Sequence, residues 1–225
     1  MADYLAQIRL VLVKDLRLEM RSRVGLAQVL PFAVLVLFLF AFALDPDGEV
    51  LEIATPGLFW VTVLFSAVLI LQRTFALEAD DGVLDALRLS GLAPSAIFLG
   101  KVSALVVQLL VLEVVLAVGV AVLYDVTFTG IGLLVLVSLT ATAGIAASGA
   151  IYGALSARLK SRDTLLPVLL LPLLAPVLIS ATRGFEIGLR HEAGGGWSWI
   201  GLLSVFALAY LALGAVLFRP LLEDA

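Results

Sequence analysis

Apolar runs of about 20 residues, the length an α-helix needs to cross a bilayer core, recur along the whole chain and limit what it can fold into. They fall near residues 24–44, 57–77, 102–124, 130–155, 164–182 and 198–218. Lipid offers no partners to unpaired backbone groups, so runs of this kind must close their hydrogen bonds internally, as helices. Composition excludes a water-soluble alternative: 62% of the 225 residues are hydrophobic and 14% charged, with a mean hydropathy of +1.15. The expectation is an all-α integral membrane protein, one transmembrane domain over residues 1–225 with six spans. The absence of cysteine removes disulfides and thiolate metal sites.

Before the first run, residues 1–23 carry Arg9, Lys14, Arg17, Arg21 and Arg23. Lys14, Arg17 and Arg21 line one side of a helix, and Leu5, Ile8, Leu12 and Leu16 line another. This pattern predicts an amphipathic helix lying at the membrane interface. The run over 24–44 is too long for a secretory signal and reads as a retained first span. Six spans put both termini on one side. Twelve of the fourteen basic residues lie on that side, in the N-terminal arm, the 72–101 region, the 156–163 loop and the tail. Only Arg183 and Arg190 lie opposite, and the loop with Asp45, Asp47, Glu49 and Glu52 has no basic residue. The positive-inside rule therefore predicts that both termini are cytoplasmic.

Between the second and third spans stands the longest polar stretch in the middle of the chain, EADDGVLDALRLSGLAPSAIFLGK, residues 78–101. Glu78, Asp80, Asp81 and Asp85 suit the positive end of a short helix. Val83, Leu84 and Leu87 would form an apolar knob on one face. Gly91 and Pro94 end that helix, and Ser95 is placed to cap the next, through Ile97, Phe98 and Leu99. This shape suits docking of a protein on the cytoplasmic side; the plainer alternative is a helix resting on lipid headgroups.

The fourth span is small and weakly polar, with small-xxx-small pairs at Gly144/Ser148 and Gly149/Gly153 that allow close helix packing, within the chain or across a dimer seam, or a substrate path. Pro167, Pro172 and Pro176 predict a kinked or broken fifth span. An extracytoplasmic segment, 183–197, follows. Glu113 lies near the middle of the third span, where a carboxyl must face protein or water. It either makes a structural hydrogen bond or belongs to a polar patch in a transport path. Catalytic patterns fall away on inspection. Gly100-Lys101 imitates the end of a phosphate-binding loop, but Ser95 stands where that loop needs glycine. His191 is the one histidine and has no companion for a metal site; it is either a solvated loop residue or a single haem or metal ligand. Neither an enzyme nor a nucleic-acid-binding protein is indicated.

In its layout the chain resembles the permease subunits of type-2 ABC exporters. In detail it resembles the haem exporter B family, CcmB, of cytochrome c maturation. Three passages carry the likeness: Lys14 to Glu19 with Arg21 to Arg23; Gly82 to Ser90 closed by Ile97 to Lys101; and Leu171 to Ile179. The resemblance implies an N-terminal elbow helix over 1–23 and a cytoplasmic coupling region over 78–100. Docking to a CcmA-like ATPase, which binds the ATP, would run through Glu78, Asp81, Gly82, Val83, Leu84, Asp85, Leu87 and Arg88. It also implies a permease homodimer, CcmC-like and CcmD-like membrane partners, and haem as cargo rather than a resident cofactor. His191 is then the one candidate haem contact. Export of haem and release of a haem-loaded chaperone are both compatible with it. Other exporters of this architecture, moving a drug, a lipid or a polysaccharide, and a non-conducting assembly subunit are the competing readings.

Overall fold

The computed structural model describes residues 2–22, 25–44, 49–80, 89–156, 162–190 and 195–223. The described residues form seven helices: α1 (Ala2–Ser22), α2 (Gly25–Ala43), α3 (Glu49–Asp80), α4 (Pro94–Leu123), α5 (Ile131–Ser156), α6 (Arg162–Arg190) and α7 (Gly196–Glu223). Five of these, α3 to α7, contain segments long and apolar enough to cross a membrane. The apolar part of α2 that qualifies, Gln28–Ala43, is shorter. This is an all-helical, multi-pass membrane architecture.

The bundle is organised around α5, which packs on α3, α4, α6 and α7. Its small residues explain why it can sit there. Gly149 and Gly153 lie against Leu71 and Phe75 of α3, and a Cβ at Gly153 would overlap the Phe75 ring. Gly144 faces Phe206 and Ala207 of α7. The small-xxx-small pairs therefore serve packing inside one chain, where close backbone approach gains van der Waals contact. Around this centre the outer faces of α2 and α7 stay apolar: Leu35, Leu39, Phe42, Val205, Leu208 and Val216 are all more than half exposed. Apolar residues on both inward and outward faces are what a helix between protein and lipid requires.

Seven hydroxyls in the bundle are satisfied by their own helix. Thr55, Thr62, Thr74, Ser103, Thr140, Ser148 and Ser180 each donate to the carbonyl four residues earlier, at 2.7–2.9 Å. Such back-bonding hides a polar group without needing a partner helix.

Three local expectations need correction. The helix α6 is continuous past Pro167, Pro172 and Pro176 to Arg190, so of the expected kink or break the break is absent, and part of the segment expected as an outer loop is helical. Its neighbours α3, α5 and α7 hold it, and packing of this kind tolerates proline in membrane helices. Ser95 is not a cap: the N-cap of α4 is Ala93, in extended conformation, with Pro94 opening the first turn and no side-chain cap bond. On α1, the buried positions are Val11 and Asp15; of the expected apolar stripe Ile8, Leu12 and Leu16 are half-buried, while Leu5 is 64% exposed. The helix packs on α4, and Tyr4 and Gln7 hydrogen-bond to the start of that helix.

Candidate functional site

The junction of α1 with the start of α4 is the first polar cluster of interest. Tyr4 donates its hydroxyl proton to Ser95 Oγ at 3.0 Å. The Ala93 N–H, an orphan donor just before a helix begins, donates to Gln7 Oε1 at 3.0 Å. One turn further, Gly100 permits direct contact: a Cβ there would come within 2.6 Å of Val11 Cβ and 2.9 Å of the Ile8 carbonyl oxygen. Deeper still, Lys101 is 2% exposed with its ammonium 3.8 Å from Asp15 Oδ2 and 5.8 Å from the centroid of the Phe75 ring. Asp15 also pairs with Lys14 at 2.7 Å. A buried ammonium is tolerable only with such compensation. The consequence is mechanical, since α1 and the first two turns of α4 are fastened at four successive levels.

The second cluster lies deep in the bundle. Glu113 on α4 is 4% exposed. Thr142 of α5 donates its hydroxyl proton to Glu113 Oε1, and Ser138, one turn earlier on α5, stands close enough to interact with the carboxyl. Oε2 is buried without a hydrogen bond. The carboxyl lines a cavity of about 440 Å³ between α4 and α5, whose other walls include Leu110, Ala117, Leu134, Phe128 and Phe185. Phe185 stacks on Phe59 with ring centroids 4.6 Å apart, and Trp60 meets both rings edge-on. An aromatic wall of this kind is rigid and apolar.

At the opposite end from the α1 junction, a cavity of about 550 Å³ is lined by Glu49, Glu52, Tyr124, Asp125, Glu186 and Arg190, among others. The α4–α5 connection that roofs it is pinned to α6, because Gly130 N–H donates to the Gly188 carbonyl at 2.9 Å and Thr129 donates to the Leu189 carbonyl at 2.8 Å. Arg183 and Arg190 both pair with Glu186 there. Among the described residues, no group of three or more His, Cys, Asp or Glu side chains is arranged to hold a metal ion.

The sequence profile of the CcmB protein family matches residues 6–220. This chain belongs to the CcmB family. Several relatives bear the name heme exporter protein B. The Pseudomonas aeruginosa protein is 30% identical over 88% of this chain and 90% of its own length. The Haemophilus influenzae protein is 32% identical over 92% and 95%, and the Paracoccus denitrificans protein 33% identical over 92% and 94%.

In this CcmB-family chain, the residues expected at the site fall in three different situations. Glu113 is placed, with the partners given above. Glu78 belongs to the last turn of α3. Asp81, Gly82, Val83, Leu84, Asp85, Leu87 and Arg88, and likewise His191, lie outside the described residues. The borders of the docking stretch are described: Leu89 is 86% exposed, Gly91 turns the chain with φ of +70°, and Ala93 is held by α1. A φ in that region is one that glycine adopts without steric cost. Sequence reasoning missed the Asp15–Lys101 pair and the Phe59–Phe185 wall. The pair joins residues 86 positions apart, with no spacing rule to reveal it. The only signal was a lysine two turns inside a largely apolar helix.

Proposed function

We propose that this chain is the membrane permease component of a haem exporter that works with a separate ATPase subunit in maturation of c-type cytochromes. One observation carries the reading: a family match over residues 6–220, joined to near end-to-end similarity with proteins named heme exporter protein B. The apolar bundle supports it, since a permease needs several spans and this chain has at least five helices that qualify.

In the finer reading, α2 is the first of six spans in one transmembrane domain of a homodimer. Both termini face the cytoplasm of a bacterial inner membrane protein. The 78–100 region couples to a CcmA-like ATPase, with Glu78, Asp81, Gly82, Val83, Leu84, Asp85, Leu87 and Arg88 at the contact. CcmC-like and CcmD-like proteins complete the assembly. Haem is cargo, delivered outward or freed by release of its loaded chaperone, and ATP is hydrolysed by the partner rather than by this chain. Four levels of contact between α1 and the start of α4 favour a push at the docking stretch travelling as one rigid movement.

The test is replacement of the gene in its host. Loss of the chain should abolish covalent haem attachment to c-type cytochromes, and the wild-type chain should restore it. Normal cytochrome maturation in its absence would refute the assignment. Orientation is tested in parallel, because the chain has no native cysteine. Single cysteines at Glu49 and Glu192 should react with an impermeant maleimide in intact cells, and one at Ser161 should not. Outside labelling at 161 would reverse the topology.

A further inference from the structure

The α4–α5 cavity has properties that the docking role leaves unused. Its walls are apolar, and its mouth is formed by residues that would meet lipid: Val114 is 64% exposed, Val135 50% and Leu139 42%. Apart from the Ser138 hydroxyl, the one polar group in the lining is the Glu113 carboxyl, 4% exposed, with Oε1 held by Thr142, Ser138 close by and Oε2 buried without a hydrogen bond. Burying an oxygen without a partner is costly, and native structures seldom leave one so unless something else supplies the bond. Neither neighbouring helix offers a cation there, as the cavity lining holds no Lys, Arg or His.

We propose that this groove is a binding site for an amphiphile that enters sideways from the bilayer, with an apolar body against Phe59, Phe128 and Phe185 and a hydrogen-bond-donating head, an ammonium or a hydroxyl, on the Glu113 carboxyl. Charge complementarity selects that head group. A donor completes the carboxyl, whereas a carboxylate head would set acceptor against acceptor in a medium that screens poorly. For the same reason the two carboxylates of a haem would find no matching group in this groove, so the site is distinct from a path for the proposed cargo and stands whether or not this chain conducts it. The cavity volume of about 440 Å³ lies within the range of small-molecule sites, roughly 300–1,000 Å³. Thr142 acts as the positioning residue, holding one oxygen of the carboxyl at the wall of the cavity.

The experiment uses the purified full chain in lipid nanodiscs and three photoactivatable probes of equal chain length: dodecylamine, dodecanol and dodecanoate, each carrying a diazirine. Labelled peptides are mapped by mass spectrometry. Saturable labelling within 110–139 by the amine, and more weakly by the alcohol, is expected. The amine should outcompete the carboxylate by about tenfold, as one charge-assisted hydrogen bond implies. Glu113→Gln keeps the acceptor for Thr142 and should erase the preference of amine over alcohol with only a small change in thermal stability. Val135→Trp, at the exposed mouth, should block all three probes in a protein that still folds, and it keeps the test decisive if the Glu113 variant misfolds. Equal labelling by amine and carboxylate, labelling that never saturates, or a preference untouched in Glu113→Gln would overturn the proposal. So would efficient cysteine cross-linking between two copies through Val135→Cys, which would make the occupant a second chain.

Discussion

Two buried acidic groups in this protein are treated in opposite ways. Asp15, where α1 meets α4, is fully engaged: Lys14 lies at 2.7 Å and Lys101 at 3.8 Å, with hydrogen bonds between the same two helices on the side toward the docking stretch. Glu113, deep in α4 and beside a cavity, has one oxygen held by Thr142 and the other buried without a hydrogen bond. A closed ion pair fastens two helices and offers nothing to a ligand. A half-closed carboxyl holds fewer contacts and keeps a group in reserve. The comparison assigns structure to the first and recognition to the second.

Breaking the closed pair should have the largest effect. Asp15→Leu takes the carboxylate from beside the buried Lys101 and is expected to destabilise by about 3 kcal/mol, the lower end for a broken buried pair. Unfolding in mixed micelles measures it. The double variant Asp15→Leu with Lys101→Met should recover most of that loss, because replacing both charges with apolar groups removes the desolvation cost along with the attraction. No recovery in the double variant would mean that Asp15 stabilises by some route other than this pair.

Next in size is a packing change that touches neither carboxyl. Gly153→Leu drives a side chain into Phe75, the ring beneath the Lys101 ammonium, and should cost roughly 2 kcal/mol as overpacking does. Loss of thermal stability without loss of groove labelling would separate the two regions. Thr142→Val keeps the shape and removes the donor to Glu113, so about 1–2 kcal/mol is expected for an acceptor left buried and unpaired. Smallest is Glu113→Gln, under about 1 kcal/mol, since the Thr142 bond survives. A large loss of stability in Glu113→Gln would move this carboxyl into the structural class of Asp15 and dissolve the contrast.

The contrast was only half visible before the structure. Glu113 announced itself, because a single acid within an apolar run is conspicuous and its cost is calculable. The helical architecture was legible for the same reason: runs of about 20 apolar residues have few other uses. Lys101 was legible only as a failed phosphate loop, since its partner lies on another helix and tertiary pairing leaves no local pattern. Ser95 looked like a cap by type and position, yet Tyr4 engages its hydroxyl and the cap falls to Ala93. Propensity identifies what a residue can do near its own backbone; it cannot see a side chain arriving from position 4. The break that the prolines of α6 suggested is absent for a similar reason, because a helix held on three sides tolerates what an isolated one would not.

The central claim is that this chain works as a permease component driven by another subunit, and its most direct test is at the docking stretch. The chain should be purified from its host in mild detergent and its partners identified. An ATPase with a phosphate-binding loop is expected to accompany the wild type. Replacing both Leu84 and Leu87 with Asp should remove it, because burying unpaired charge at a protein contact costs several kcal/mol, about enough to empty a micromolar complex. Stability of the variant in detergent should stay at the wild-type value. An ATPase still bound to the stable double variant would contradict the docking assignment, and a wild-type chain that brings no ATPase with it would contradict the account as a whole.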